Sequence, residues 1–128
     1  MADSDVKRIV IGGGGFGGVR TALLLANKPG FAVRLITPES YFEYHAALYR
    51  SATGRSPLEV AIPLREFFGF AKNVEVVHDR LVSLDAAHRV VKGESGADYP
   101  YDELVLALGN VSEYYGIKGL KEYSYGVK

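Results

Sequence analysis

The hydrophobic positions near the start of the chain alternate between continuous apolar runs and helical spacing. The β-branched run Lys7–Ile11 ends in the glycine-rich stretch Gly12–Gly18, which is typical of a buried strand that leads into a tight turn. Residues 19–27 carry apolar side chains at helical spacing, and Lys28-Pro29-Gly30 predicts the end of that helix. The run Phe31–Ile36 predicts a second strand. Strand, glycine turn, helix and strand follow in the order of a parallel β-α-β unit.

The rest of the chain predicts two short helices and several short strands. Tyr41–Ala52 is aromatic-rich with mixed periodicity, and the amphipathic stretch Leu58–Phe70 follows a Ser-Pro helix start. Further strands are predicted at 73–77, at 81–85 with 88–92 as a hairpin, and at 103–108, with a second turn at 93–97. The last strand is almost entirely apolar, as in a strand that is buried on both faces of a parallel sheet.

These elements predict an α/β fold, a Rossmann-like domain with a parallel central sheet, helices and a small antiparallel β-meander. A chain of 128 residues can bury one core but not two nucleotide-binding domains, so residues 1–128 are expected to form one domain. Fifteen basic and fifteen acidic residues give a formal net charge of zero, which argues against nucleic acid as a partner. The chain lacks cysteine, which excludes disulfides, thiolate metal sites and a redox-active dithiol.

The N-terminus and the lengths of the apolar runs bear on localisation. The first five residues are polar and acidic, without the basic region of a secretion signal. The apolar runs are far shorter than the ~20 residues that span a bilayer. We therefore expect a cytoplasmic protein, with no membrane contact from this segment.

The glycine-rich stretch carries the pattern of a loop that holds a dinucleotide pyrophosphate at a helix N-terminus. Two registers of this pattern overlap, one starting at Gly12 and one at Gly13. We prefer Gly13, Gly15 and Gly18, because this register places the small Ala22 on the helix face that packs against the strand. The flanking strand, helix and second strand favour nucleotide binding over a simple turn.

The carboxylate that usually binds the ribose hydroxyls is absent from its usual position, at the end of the second strand and ~20 residues after the loop. Thr37 stands there, followed by Pro38 and Glu39. Either Glu39 reaches back to the ribose, or the Thr37 hydroxyl makes a weaker contact. The three histidines share no metal-ligand spacing, so no metal site is predicted, and no catalytic residue is assigned.

Several segments together resemble the type II NADH:quinone oxidoreductases of the pyridine nucleotide-disulfide oxidoreductase superfamily. These segments are Ile9–Gly18, Tyr41–Gly54, Ala61–Arg65, Tyr101–Gly109 and Tyr115–Leu120, and they cover essentially the whole chain. The resemblance implies an FAD-binding part of an enzyme that passes electrons from NADH to a quinone. Because members of that family continue into an NADH-binding domain, we expect this chain to be truncated before that domain and inactive alone. The longer parent would be cytoplasmic and peripheral on the membrane.

The resemblance also implies which residues contact FAD. The glycine loop would hold the pyrophosphate, the segment around His45 would lie by the isoalloxazine, and Leu81 would contact the adenine through its backbone. The implied set is Gly13, Gly14, Gly15, Phe16, Gly17, Gly18, Thr37, Pro38, Glu39, His45, Ala46, Leu81, Ala107, Leu108 and Gly109. Thr37 in place of the acid, Ala46 where proline is frequent, and Leu108 in place of a threonine depart from the family pattern.

Two other functions stay open. The chain could belong to another two-dinucleotide flavoprotein, of the ferredoxin, sulfide:quinone or disulfide reductase type. The lack of cysteine argues against the last two, which need sulfur chemistry at the flavin. Alternatively, it could be a stand-alone regulatory module that senses a nucleotide. If the chain is instead truncated before an NADH domain, exposed apolar surface where that domain should dock predicts self-association.

Overall fold

A computed structural model describes residues 6–126 as an α/β arrangement of nine strands and four α-helices. The strands are β1 (Lys7–Gly12), β2 (Phe31–Thr37), β3 (Tyr41–Glu43), β4 (Ala61–Pro63), β5 (Val74–His78), β6 (Leu81–Asp85), β7 (Val90–Gly93), β8 (Asp98–Pro100) and β9 (Glu103–Leu106). The helices are α1 (Phe16–Leu25), α2 (Leu48–Ala52), α3 (Leu64–Phe68) and α4 (Leu120–Tyr123), with 3-10 turns at His45–Ala47 and Pro57–Glu59.

The central sheet has four parallel strands in the order β5, β2, β1, β9. Helix α1 makes the crossover from β1 to β2, so the predicted β-α-β unit is confirmed. The chain leaves β1 toward β2 on one side, and β9 joins β1 on the other side. The carboxyl ends of β1 and its two neighbours therefore surround a topological switch point, the place where open parallel sheets bind ligands.

Alternate side chains of β1 pack on opposite faces of the sheet, as strand geometry requires. Ile9 and Ile11 join the core under α1 and α3, whereas Val10 packs against the second core on the other face. Ile11 is fully buried, and burying such a side chain contributes about 1.5–3 kcal/mol to stability. Both faces are covered, which explains the continuous apolar run in the sequence.

The predicted antiparallel β-meander is confirmed and consists of β6, β7 and β8. It packs through Val91, Tyr99 and Tyr101 on the sheet face opposite α1. The third strand, β8, follows the predicted turn but was itself not predicted, because three residues carry too little periodicity.

The predictions of helices over 41–52 and 58–70 are partly wrong. Strand β3 opens the first segment and pairs antiparallel with β4, which lies inside the second segment. Helical structure is confined to α2, α3 and the two 3-10 turns. The reason is tertiary packing. Phe42 of β3 lies edge-on to Phe16 and Phe67, with ring centroids 4.9 and 5.7 Å away, and this packing outweighs local helix preference.

The prediction that the last strand is buried on both faces is also wrong. Strand β9 ends at Leu106 and forms an edge of the sheet, so Leu104 and Val105 are only half-buried and Leu106 is 54% exposed. Among residues 6–126 no further strand pairs with its outer edge, although Leu104 and Val105 pack partly against the cores on the two faces of the sheet. Helix α1 also starts three residues earlier than predicted, at Phe16.

Within residues 6–126, no helix has the length and apolar character that crossing a membrane requires. The same part of the chain contains no group of three or more His, Asp or Glu side chains that could hold a metal ion.

Candidate functional site

A cleft of about 730 Å³ lies at the carboxyl ends of the parallel strands, beside the N-terminus of α1. Of the residues that the resemblance implies as FAD contacts, all line this cleft except Gly18 and Ala46. Ile36, Tyr41, Glu43, Asp79, Arg80 and Asn110 also line the cleft and were not predicted. The strand order thus brings loops that are distant in sequence to one place.

The three glycines of the preferred register, Gly13, Gly15 and Gly18, differ in how much space a side chain would have. Gly13 has a positive φ of 106°, and a Cβ there would overlap the carbonyl oxygen of Ala107. A Cβ on Gly18 would overlap the carbonyl oxygen of Gly13, so α1 can approach β1 this closely only with glycine. A Cβ on Gly15 would meet nothing within 4 Å. The register Gly13, Gly15 and Gly18 therefore has the tight turn, the open approach and the close helix packing of a dinucleotide loop.

The N-terminus of α1 is available for an anion. Gly15 is its N-cap residue, no side chain caps the helix, and its first turn contains no acidic residue. The first N–H groups of a helix have no intrahelical partner and carry positive partial charge. The helix has ten residues and starts at the wall of the cleft, so it can stabilise a pyrophosphate there.

The two candidates for the ribose contact differ in accessibility. Thr37 is 2% exposed, and its Oγ1 accepts a hydrogen bond from the Glu39 N–H over 3.3 Å. The Gly14 backbone lies directly over this side chain, since a Cβ on Gly14 would be 2.7 Å from Oγ1. Glu39 is exposed at the cleft, and its negative charge is the main cause that raises the pKa of Tyr41. The geometry therefore favours Glu39 over Thr37.

Asp79 forms a buried polar cluster that the sequence did not reveal. Its carboxylate accepts hydrogen bonds from the hydroxyls of Ser95 (2.5 Å) and Tyr99 (2.6 Å) and from the N–H groups of Arg80 (2.8 Å) and Ser95 (3.2 Å). These bonds, the Ser95 and Tyr99 hydroxyls foremost, hold the pKa of Asp79 well below its usual range. Burial and the bond to Asp79 raise the pKa of Tyr99. The cluster fixes the turn 79–81 to the meander.

The segment after β3 supplies another wall of the cleft. His45 Nε2 lies 2.9 Å from Glu43 Oε2, and both side chains line the cleft. Phe16 holds this segment against the glycine loop, because its ring packs on Phe42 and, at 5.6 Å between centroids, on Tyr44. His78 and His88 are exposed and lie outside the cleft lining, as expected from their lack of shared spacing.

Comparison with known proteins gives the family. The family model described as pyridine nucleotide-disulphide oxidoreductase matches residues 7–128. The chain belongs to this family. A type II NADH:quinone oxidoreductase of Mycobacterium tuberculosis is 34% identical over 125 residues, which are 94% of this chain and 27% of that protein. A sulfide-quinone reductase of Aquifex aeolicus is 32% identical over 123 residues, 94% of this chain and 28% of that protein.

Comparison with solved structures confirms the Rossmann-like fold. The sulfide:quinone oxidoreductase of Aquifex aeolicus matches with a TM-score of 0.78 and 32% identity, over 91% of this chain and 27% of its own. NDH2 of Plasmodium falciparum, solved in complex with NADH, matches with a TM-score of 0.83 and 23% identity. The match covers 95% of this chain and 26% of the NDH2 chain. The chain thus spans about a quarter of the length of these relatives.

Proposed function

We propose that the cleft binds FAD and that the chain is the flavin-binding part of an oxidoreductase that passes electrons from NADH to a quinone. The observation that carries this proposal is the open side of Gly15, at an uncapped helix N-terminus that faces the cleft. The fold needs glycine at positions 13 and 18, but no contact among residues 6–126 needs it at position 15. A bound pyrophosphate supplies the missing reason.

The cleft fits an extended dinucleotide in size and in the order of its groups. Its volume of about 730 Å³ falls within the ~300–1,000 Å³ of cofactor sites. The pyrophosphate would lie at Gly13–Gly15, the ribose near Glu39, and the adenine by the turn 79–81. The flavin half would then extend past Phe16 and His45 on one side and Leu108 on the other.

The residues of the chain bind and orient the cofactor, and none of them is assigned a catalytic step. FAD supplies the hydride and electron transfer chemistry when bound. Phe16 and Leu108 offer apolar surface, 53% and 64% exposed, that a planar ring can cover and shield from water. The sequence contains no second glycine fingerprint for NADH. We propose that residues 1–128 form one FAD-binding domain that does not turn over alone.

A second candidate is the flavin-binding part of a sulfide:quinone reductase. It is supported by the 32% identity to the Aquifex aeolicus enzyme, close to the 34% of the type II NADH:quinone oxidoreductase. The lack of cysteine opposes it, because no thiolate of this chain can take part in sulfur transfer. Anaerobic mixing of the FAD-loaded longer parent protein with NADH or with sulfide separates the two, since only the matching reductant should bleach its flavin, whereas the 128-residue chain alone is not expected to turn over.

Gly15 variants test the proposed function. Gly15→Asp places an acidic residue at the N-cap, where aspartate stabilises a helix by about a few tenths of a kcal/mol relative to glycine. The same carboxylate would repel a pyrophosphate. We therefore expect unchanged or higher stability in urea denaturation, together with an FAD affinity lowered at least 100-fold in a fluorescence titration.

Gly15→Ser is the matched control, because serine caps the helix without a charge. Its FAD affinity should fall much less than that of Gly15→Asp. Equal FAD affinity in the wild-type chain and in folded Gly15→Asp would show that α1 does not hold the pyrophosphate, and the proposal would fail.

A further inference from the structure

Among the described residues that line the cleft, Arg80 is the only arginine or lysine. The carboxylates there are Glu39, Glu43 and Asp79, and Asp79 is engaged in its buried cluster. Arg80 is the second residue after β5 and is one of the residues that were not predicted from the sequence. It lies at the opposite end of the cleft from β9, because β5 and β9 form the two edges of the central sheet.

The backbone of Arg80 is held on both sides. Its N–H donates to Asp79 Oδ1 over 2.8 Å, and its carbonyl accepts from the Glu94 N–H over 2.8 Å. The side chain, in contrast, is 61% exposed, and its Nε lies 3.7 Å from Glu94 Oε2. Such a long, exposed ion pair contributes little, so the guanidinium is free to move onto a ligand.

The strand order predicts what lies next to Arg80. Neighbouring strands are ~4.8 Å apart, so the end of β5 is roughly 10 Å from the glycine loop after β1, with β2 and Glu39 between them. An adenosine group extends a comparable distance from its pyrophosphate. Pyrophosphate, ribose and base therefore match the ends of β1, β2 and β5 in turn.

We propose that Arg80 determines specificity for the purine base, with its planar guanidinium stacked on the adenine ring. Arginine stacks on aromatic faces, whereas the compact ammonium of lysine does so less well. This inference rests on the proposed function, because it requires an adenine dinucleotide in the cleft. Glu39 lies on the ribose side and disfavours an additional phosphate there, which leaves the base as the partner of the guanidinium.

The test compares Arg80→Ala and Arg80→Lys with the wild-type chain by titration with FAD and with its two halves, ADP and FMN. Both variants should bind FAD and ADP about fivefold more weakly or worse, and FMN as the wild type does. Arg55→Ala is the matched control. Arg55 has a similar exposure of 62% and one long contact, 3.4 Å to Glu59, but lies outside the cleft lining.

The outcomes separate the role of Arg80 from the proposed FAD binding. FAD binding by the wild type with no difference between Arg80→Ala and Arg55→Ala would overturn the role of Arg80 and leave the proposed function standing. Full rescue by Arg80→Lys would show that charge, not stacking, is responsible, and would also overturn the inference. Absence of FAD binding in the wild type would instead overturn the proposed function.

Discussion

Some residues of the cleft are explained by contacts within the fold, whereas others are explained only by a bound ligand. Gly13 and Gly18 are required by backbone contacts within the protein, and Thr37 is buried under the loop. Gly15 and Glu39 meet no such requirement and face the cleft. Asp79 combines both aspects, because its buried carboxylate fixes the turn that presents Arg80 and Leu81 to the cleft.

Asp79 should make the stability of the protein depend on pH. Its pKa is lowered in the folded state, so the stabilisation is present above the ordinary carboxyl pKa of ~3.9 and is lost as the pH falls below that value. Asp79→Asn should lower the thermal midpoint at pH 7. Between pH 7 and pH 3, the midpoint of this variant should then fall less than that of the wild type. Circular dichroism melts across this range measure both effects.

Asp98→Asn is the control for this prediction, because Asp98 is an exposed carboxylate of the same meander that pairs with Lys92 at 2.9 Å. It should lower the thermal midpoint at pH 7 much less than Asp79→Asn does, because an exposed ion pair contributes little to stability. If Asp79→Asn follows the pH profile of the wild type, the buried cluster does not stabilise the ionised carboxylate.

At the scale of elements, an asparagine pair joins the end of α1 to the start of β5. The Asn73 side-chain amide donates to the carbonyls of Leu25, Lys28 and Phe31 over 3.0–3.3 Å, and its Oδ1 accepts from the Asn27 N–H over 2.6 Å. Asn27 has a left-handed φ of 57°, which ends the helix. The pair explains why the chain can turn from α1 into β2 at this point.

Asn73→Ala should lower the free energy of unfolding by about 1–3 kcal/mol, because the half-buried carbonyls of Leu25 and Phe31 each lose a hydrogen bond from the Asn73 amide. Urea denaturation measures this loss. Asn73→Asp retains an acceptor for the Asn27 N–H but lacks the amide donor, so it should also be destabilised. A loss below about 0.5 kcal/mol in Asn73→Ala would contradict the role of the pair.

Elements with a long, clear period could be predicted from the sequence. The strands β1 and β2 with α1 between them follow from apolar runs and helical spacing, and the glycine loop with Glu39 follows from the known spacing of dinucleotide sites. The short strands β3 and β4 could not be predicted, because Phe42 is fixed by rings that come from other elements. The Asp79 cluster could not be predicted for the same reason, because Ser95 and Tyr99 lie 16 and 20 residues after Asp79 in the sequence.

The sequence carries one signal for Arg80. Loops that follow parallel strands share one edge of the sheet, so the residues directly after each predicted strand are candidates for the same site. This rule applied to the strand predicted at 73–77 points to the residues that follow it, including Asp79 and Arg80. Side-chain direction and burial, which separate the two, require the structure.

For the whole molecule, the edge formed by β9 and the segment after it is apolar and uncovered among residues 6–126. Leu106, Val111 and Ile117 are 54%, 89% and 59% exposed. Edge strands with exposed apolar side chains pair readily with other chains. We expect the sedimentation coefficient to rise with protein concentration.

The double variant Leu106→Lys with Val111→Lys should weaken this self-association, because charges on an edge strand oppose pairing. Neither residue lines the cleft, so FAD binding should be retained. A wild-type chain that sediments as a monomer at every concentration would rule out this role of the β9 edge.

The proposed FAD site is tested most directly by purifying the 128-residue chain without added cofactor, recording its visible spectrum, and titrating FAD, NADH and ATP against its intrinsic tyrosine fluorescence. Flavin absorption bands, or FAD binding at least tenfold tighter than that of NADH and ATP, is the expected result. Absence of flavin binding together with firm binding of NADH or ATP would contradict the flavin site and favour a nucleotide-sensing module.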